Sequence, residues 1–343
     1  MTNNATHMRI EIEEIPEAAR RLLSGSADAL LQAGLALRQL QPVMVATIAR
    51  GSSDHAAAYL KYAIELVAGV PVASIGPSVM SIYGRELHLE SCAAIAISQS
   101  GKSPDIVAMT ESAKRNGALT IALTNTAGSP LAAASDLAVD LAAGPEKSVA
   151  ATKSFVSSVV AGLAILAHWV NDPTLLAAIR ALPESLAEAV ALDWSPFLDA
   201  LGERDSLYVL GRGPALAIAE EAALKFKETC GIHAEAYSAA EVLHGPARIV
   251  EAGFPVLALA ARDAGEAGVA EIADRLARQG ASAYATTTRV ALAQRLPHVE
   301  TGHPITDPLA LIVSFYAFVE MLARHRGFDP DNPPHLKKVT ETL

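Results

Sequence analysis

The sequence predicts an α/β chain of two tandem copies of one unit, each a parallel β-sheet flanked by helices. Three observations carry that expectation. Short apolar runs of strand length are each followed by a Gly- or Ser-rich break and a helical stretch, the order of a parallel sheet with helical crossovers. That order occurs twice along 343 residues, a length that suits two ordinary domains. Arg50-Gly51 and Arg212-Gly213 stand 162 residues apart, and Gly117 and Gly280 stand 163 apart, at matching points of the two halves.

Residues 10–40 read as helical, with Ile10, Ile12, Ile15, Leu22 and Leu23 set among acids and arginines. Pro42 precedes the apolar run Val43–Ala49, which Arg50-Gly51-Ser52-Ser53 breaks before helical spacing returns over Asp54–Val67. Cys92–Ile97 repeats the pattern, followed by Ser98-Gln99-Ser100-Gly101 and a helix through Lys114. Leu119–Leu123 and Leu137–Leu141 are further strands, and the long apolar helix Ser154–Val170 closes the first unit. In the second, Leu207–Leu210 leads through Gly211-Arg212-Gly213-Pro214 into a helix ending near Glu228; Pro255–Ala260 and Ser282–Ala285 are strands. The expected division is an N-terminal helical segment 1–40, a first domain 41–172, a second domain 196–330 and a tail 331–343 that closes over the site. The linker is expected near Asp172–Ser195, with Pro173, Pro183 and Pro196 around a helical stretch.

Composition narrows the function classes. Hydrophobic residues make up 51% and charged residues 19%, so globular cores are expected and long disorder is not. Net charge is −10, no Lys/Arg cluster stands out, and a nucleic-acid partner is not expected. An anion must then be bound by a local site rather than by a global field. Cys92 and Cys230, the only cysteines, offer neither a metal knuckle nor a disulfide framework, and read as reduced core thiols. The start, Met1 to Arg9, lacks the apolar core of a signal peptide, and Met8 offers an internal start. Apolar stretches such as Val43–Ala49 end well short of the roughly 18 residues of a membrane span. A soluble, cytoplasmic protein with no membrane partner is expected, and no metal or organic cofactor is implied.

In an open α/β sheet, ligands sit outside the carboxyl ends of the strands. Two hydroxyl-rich turns emerge there in the first half, Gly51-Ser52-Ser53 and Ser98-Gln99-Ser100-Gly101-Lys102-Ser103. Each precedes a helix whose first N–H groups are unpaired and whose dipole favours negative charge. Either serine set can simply cap its helix; two such turns on one sheet favour a phosphate cradle. The 163-residue offset carries Ser98–Gly101 onto Ala261-Arg262-Asp263-Ala264, so the anion site is expected in the first half alone. Gly101-Lys102-Ser103 is not the end of a nucleotide P-loop, because position 96 is Ala, and Gly211-Arg212-Gly213 is not a dinucleotide fingerprint, because position 216 is Leu. No G-x-S-x-G elbow is present.

The second half carries the acid–base groups. Helical spacing sets Lys225 beside Glu221 and Glu228 on one face. Such a run is either a solvated ion-pair face or a carboxylate poised as a general base by its neighbours. His244, in Glu241-Val242-Leu243-His244-Gly245-Pro246, sits on a turn suited to catalysis, though an isolated histidine is more often structural. The tail Pro333-Pro334-His335-Leu336-Lys337-Lys338 is polar and loop-like.

Together with Val149-Ala150-Ala151-Thr152-Lys153, His233-Ala234-Glu235-Ala236-Tyr237 and Leu336-Lys337-Lys338, these motifs resemble the isomerase half of glucosamine-6-phosphate synthase and its stand-alone relatives. The resemblance runs in order from about residue 40 to the end. It implies two SIS domains of Rossmann-like α/β/α architecture, a sugar-phosphate substrate, and a homodimer in which His244 reaches its site across the interface. It implies phosphate binding by Ser53, Ser98, Gln99, Ser100 and Ser103, with Gly51 and Ser52 of the same turn as further substrate-binding candidates, and a backbone contact from Val149 to the sugar. Glu228 becomes the base that shuttles a proton between C-1 and C-2, Lys225 its helper, His244 the ring opener, and Lys338 the lysine that forms an imine with a keto sugar.

Three departures bear on substrate. The segment before the first strand is about 40 residues without a cysteine, so a glutaminase nucleophile is not expected. Ala151 stands where the synthase has serine, which removes a sugar-hydroxyl contact. The ending Val339-Thr340-Glu341-Thr342 looks more like the stand-alone deaminases. The expected reaction is glucosamine 6-phosphate to fructose 6-phosphate and ammonia, with a fructosamine-6-phosphate deglycase or a non-catalytic sugar-phosphate sensor as alternatives. A sensor would not need Glu228, His244 and Lys338, and no helix-turn-helix segment precedes the first domain.

Overall fold

The computed structural model describes residues 5–338, so the ending Val339–Thr342 and the first four residues of the N-terminal segment lie outside the described residues. Three helices open the chain, α1 (His7–Glu13), α2 (Ile15–Gly25) and α3 (Ala27–Leu40). Then come β1 (Val45–Ile48), α4 (Ser52–Val67), β2 (Val72–Ser74), α5 (Ser78–Ser81), β3 (Ala93–Ile97), α6 (Pro104–Arg115), β4 (Leu119–Thr124), α7 (Pro130–Ala134) and β5 (Leu137–Asp140). Helices α8 (Lys153–Val170), α9 (Pro173–Val190) and α10 (Ser195–Leu201) lead to β6 (Ser206–Gly211), α11 (Pro214–Cys230) and β7 (His233–Ser238). Two 3-10 turns, Val242–His244 and Pro246–Ile249, precede β8 (Pro255–Ala258), α12 (Glu266–Arg278), β9 (Ser282–Ala285), β10 (Gln294–Arg295) and α13 (Asp307–His325).

Among the described residues, ten strands form two five-stranded sheets, both parallel throughout, in the orders β2-β1-β3-β4-β5 and β7-β6-β8-β9-β10. Matched strand for strand from β1 and β6, these are one order written twice, which bears out the tandem α/β reading. The glycines register it in detail. Gly51 and Gly213 precede α4 and α11 with φ of +56° and +58°, and Gly117 and Gly280 precede β4 and β9 with φ of +88° and +102°.

The chain divides into two compact units. One, the β1–β5 unit, comprises Ile15–Glu146, Lys153–Arg180 and the tail from Lys337. The other, the β6–β10 unit, comprises the segment up to Glu14, Lys147–Thr152 and Ala181–Leu336. In the first, β1 and β3 are buried along their length, as parallel strands covered on both faces must be. Small residues suit this packing: Ala46, Ala94, Ala96 and Ala122 line a core with Ile48, Ile106, Met109 and Leu131. Helix α8 is buried over nearly its whole length among α2, α3 and α4.

Some expectations need correcting. The helical stretch 10–40 is three helices, and α1 belongs to the β6–β10 unit while α2 and α3 belong to the other. The Asp331 carboxylate explains that docking, accepting the N–H groups of His7 and Met8 at 2.7 Å each, as does Arg9 on the buried Glu320 at 2.7 Å. Helices α8 and α13 do reach the length and hydropathy of a membrane span, but 89% and 83% of those windows are buried inside the folded chain. Both are core helices here. Cys92 and Cys230 are free, buried thiols.

Candidate functional site

In the order β2-β1-β3-β4-β5 the chain switches direction across the sheet between β1 and β3, and a ligand crevice forms at such a switch, outside the carboxyl ends of those strands. The two serine-rich turns leave those two strands, which pair directly from Val45 with Ala93 to Ile48 with Ala96. The β1–β5 unit therefore brings Gly51, Ser52, Ser53, Ser98, Gln99, Ser100 and Ser103 to one edge.

Each turn is built for close approach. Gly51 caps α4 without a side chain, in a positive-φ conformation that L residues rarely adopt. Gly101, at φ +62°, has no room for a Cβ, which would lie 2.2 Å from Ser129 Oγ and 2.7 Å from Thr124 Oγ1. The hydroxyls divide between the two roles weighed from sequence. Ser98 Oγ accepts the Gly101 N–H at 3.2 Å and Ser100 Oγ the Lys102 N–H at 3.3 Å, shaping the turn. Ser103, the N-cap residue of α6, makes no side-chain capping bond. A helix that is not capped by its own serine presents its N-terminal N–H groups to an incoming anion.

Lys338 lies in the same unit. Its Nζ is 3.0 Å from Glu146 Oε2, and Glu146 also accepts the Ser154 N–H at 3.1 Å and the Ser154 hydroxyl at 2.7 Å. Burial would raise the Glu146 pKa, but the Lys338 charge and the Ser154 bonds outweigh it and hold the carboxyl below its ordinary range.

The β6–β10 unit holds Lys225, Glu228, His244 and Val149. Glu221 and Lys225 are fully buried on α11, and the Glu228 side chain retains 20% exposure. Lys225 Nζ hydrogen-bonds Glu228 Oε2 and lies 3.3 Å from Glu221 Oε1, while Tyr316 donates to that same Glu221 oxygen at 3.0 Å. Burial alone would lower the Lys225 pKa; the two carboxylates outweigh it and raise it. The solvated ion-pair reading of this face therefore fails: a buried ammonium is clamped by two acids, of which only Glu228 reaches solvent.

His244 ends the first 3-10 turn after β7 and is exposed. Tyr208 pins this loop by donating to the Pro246 carbonyl at 2.9 Å. Topology separates His244 from Glu228. Helix α11 leaves the carboxyl end of β6 and runs back, so Glu228, about 20 Å along it at 1.5 Å per residue, lies towards the amino end of β7, whereas His244 follows β7's carboxyl end. Val149 donates its N–H to the Asp331 carbonyl at 3.2 Å. Glu11, a buried acid, holds the preceding residues by accepting the Lys147 and Ser148 N–H groups.

Sequence reasoning missed Glu146, Glu11 and the clamp role of Glu221. Glu11 and Glu146 carry no local signature, because each meets partners made adjacent only by the fold. For Glu221 the signal was present, since a lysine three and four residues from two acids on an otherwise apolar helix can be buried with them.

The model of the SIS domain matches residues 43–168 and 200–293. The glutamine–fructose-6-phosphate aminotransferase [isomerizing] of Symbiobacterium thermophilum is 32% identical over 97% of this chain, and the match spans 58% of that protein's length. The chain thus spans little more than half the length of the curated relatives it matches. A solved structure of a provisionally named phosphosugar isomerase from Silicibacter pomeroyi DSS-3 is 59% identical, with a TM-score of 0.93, covering 95% of this chain and all of that one. The C-terminal domain of the glucosamine-fructose-6-phosphate aminotransferase from Francisella tularensis is 25% identical, with a TM-score of 0.83 over 96% of this chain and 99% of that one. With nine of the ten described strands inside the matched segments, β10 lying just beyond, and the serine-rich turns at the switch point of the first sheet, the chain belongs to the SIS-domain family of phosphosugar isomerases.

Proposed function

We propose that this protein is a cytoplasmic enzyme that converts glucosamine 6-phosphate to fructose 6-phosphate and ammonia. The observation that carries this reading is the triad of α11: a carboxylate, Glu228, that keeps 20% of its side chain exposed and is hydrogen-bonded to an ammonium that has no exposure of its own. That is the arrangement a proton shuttle on a sugar carbon needs, because a fixed neighbouring charge sets the base's position. The substrate class follows from the relatives, whose names join an amino transfer to a fructose phosphate and an isomerisation.

In this mechanism Gly51, Ser52, Ser53, Ser98, Gln99, Ser100 and Ser103 hold the phosphate, and the Val149 carbonyl orients the sugar. His244, supplied by the partner subunit of a homodimer, transfers a proton at the ring oxygen to open the ring. Its separation from Glu228 along the second sheet supports that assignment. Glu228 takes the C-2 proton and returns it to C-1, which turns the amine-bearing C-2 into an imine. Water adds to that carbon, the C–N bond breaks, and ammonia leaves with fructose 6-phosphate. Lys338 supplies charge or a covalent imine to the keto sugar.

Incubating the purified protein with glucosamine 6-phosphate and with fructosamine 6-phosphates tests the reading directly. Free ammonia from the first is the expected result. Release of an amino acid from the second alone assigns a deglycase instead, and phosphate-dependent binding without turnover of either assigns a sensor.

A further inference from the structure

The tail lysine is held in place by a residue that the proposed chemistry does not use. Glu146 has a side chain with no exposure, fixed by the N–H and hydroxyl of Ser154 in the first turn of α8, where the helix dipole favours negative charge. Its oxygen Oε2 faces the Lys338 ammonium at 3.0 Å, and the Lys338 side chain retains 24% exposure. A chain of bonds fixes where this pair sits. Gln99 accepts the Asn125 N–H at 3.0 Å, and Asn125 follows the carboxyl end of β4. The Asn125 amide donates to the Gly144 carbonyl at 2.8 Å and accepts the Ala143 N–H at 2.8 Å, two residues short of Pro145-Glu146. The turn that carries Gln99 and the anchor of the tail amine are thus parts of one hydrogen-bonded edge of the β1–β5 unit.

We propose that Glu146 is the positioning residue for Lys338, holding the tail amine beside the serine-rich turns so that it is delivered to the substrate in a fixed place. This rests on the reading that Lys338 acts on the sugar. A carboxylate that served only to cap α8 would need Ser154 and nothing else. The ammonium is the added partner, and a buried carboxylate without a cation is costly. The charged groups nearby in the chain, Lys147, the buried Lys153 and Lys337, are cationic, and Glu146 is an acid that meets the Lys338 ammonium at 3.0 Å.

Glu146→Gln separates the two roles, because the amide oxygen still accepts from Ser154 while the charge is gone. The first readout needs no turnover: the rate at which Lys338 is labelled by an amine-reactive reagent at one fixed pH, followed by peptide mass against the other lysines. Loss of the carboxylate, which releases the amine from its anchor, is expected to raise that rate about tenfold and to reduce kcat about tenfold, with the KM for the sugar phosphate within about twofold. Ser154→Ala, which keeps the charge and removes one bond, is expected to move both in the same direction by less, and serves if Glu146→Gln does not fold. An unchanged labelling rate, or a faster rate with wild-type kcat, overturns the proposal. If neither protein turns over glucosamine 6-phosphate, the functional reading fails, while the labelling rate still decides whether Glu146 holds the amine.

Discussion

Arg50, on the turn after β1, meets the Asp105 carboxylate on the first turn of α6 at 2.5 Å, so one ion pair ties the two serine-rich turns together. Asp105 is 1% exposed, whereas Arg50 is 41% exposed. Removing one partner of a fully buried pair costs about 3–5 kcal/mol, and the solvent at Arg50 reduces that. Arg50→Ala is expected to lose about 1–3 kcal/mol in urea unfolding and to bind inorganic phosphate more weakly, because a carboxylate is left uncovered beside the proposed phosphate cradle. Unchanged stability and phosphate affinity would remove Arg50 from the cradle.

Gly101→Ala places a methyl group where Ser129 Oγ and Thr124 Oγ1 already stand, at a positive φ. The turn must shift, and with it the Ser98 and Ser100 hydroxyls. The expectation is a KM for the sugar phosphate raised at least about tenfold, near 1.4 kcal/mol of lost binding, with far-ultraviolet circular dichroism unchanged. A wild-type KM in a folded variant contradicts the close-approach reading.

Lys225→Met leaves Glu221 and Glu228 without their shared cation, Glu221 at zero exposure. A loss of about 3–5 kcal/mol is expected, seen as a lower Tm in calorimetry at pH 7, partly recovered by Glu221→Gln in the same chain. A Tm equal to wild type would show that the triad is not a clamp.

Glu146 gives a signed pH effect. Its folded pKa lies below the ordinary 4.5, so the stability it contributes is fully present above pH 4.5 and is lost as pH falls through the lowered folded value. Denaturant unfolding of Glu146→Gln is therefore expected to fall less steeply than wild type below pH 4.5. Parallel curves would contradict the pairing with Lys338.

Much of this was legible in the sequence, and the boundary is physical. Strand–turn–helix order, the glycine registrations and the serine turns are local features, and each of those elements formed where its residues pointed. Helix α13 gave no such signal: its apolar run follows no recognised motif, yet it supplies Tyr316 to Glu221 and Glu320 to Arg9. Strands β2, β7 and β10 were also missed. Residues 233–238 alternate His, Glu and Tyr with alanine, and only pairing with β6 makes them a strand. Glu146 and Glu11 illustrate the general limit, because what a buried acid binds is decided by which distant backbone comes to meet it.

The central claim is that Glu228 moves a proton between C-1 and C-2. Proton nuclear magnetic resonance of fructose 6-phosphate and ammonium incubated with the enzyme in D2O tests it most directly, by the exchange of a C-1 hydrogen for deuterium. Wild type is expected to exchange one C-1 hydrogen, and Glu228→Gln to do so at least about 10²-fold more slowly while binding phosphate normally. Exchange at the wild-type rate in that variant would contradict the account.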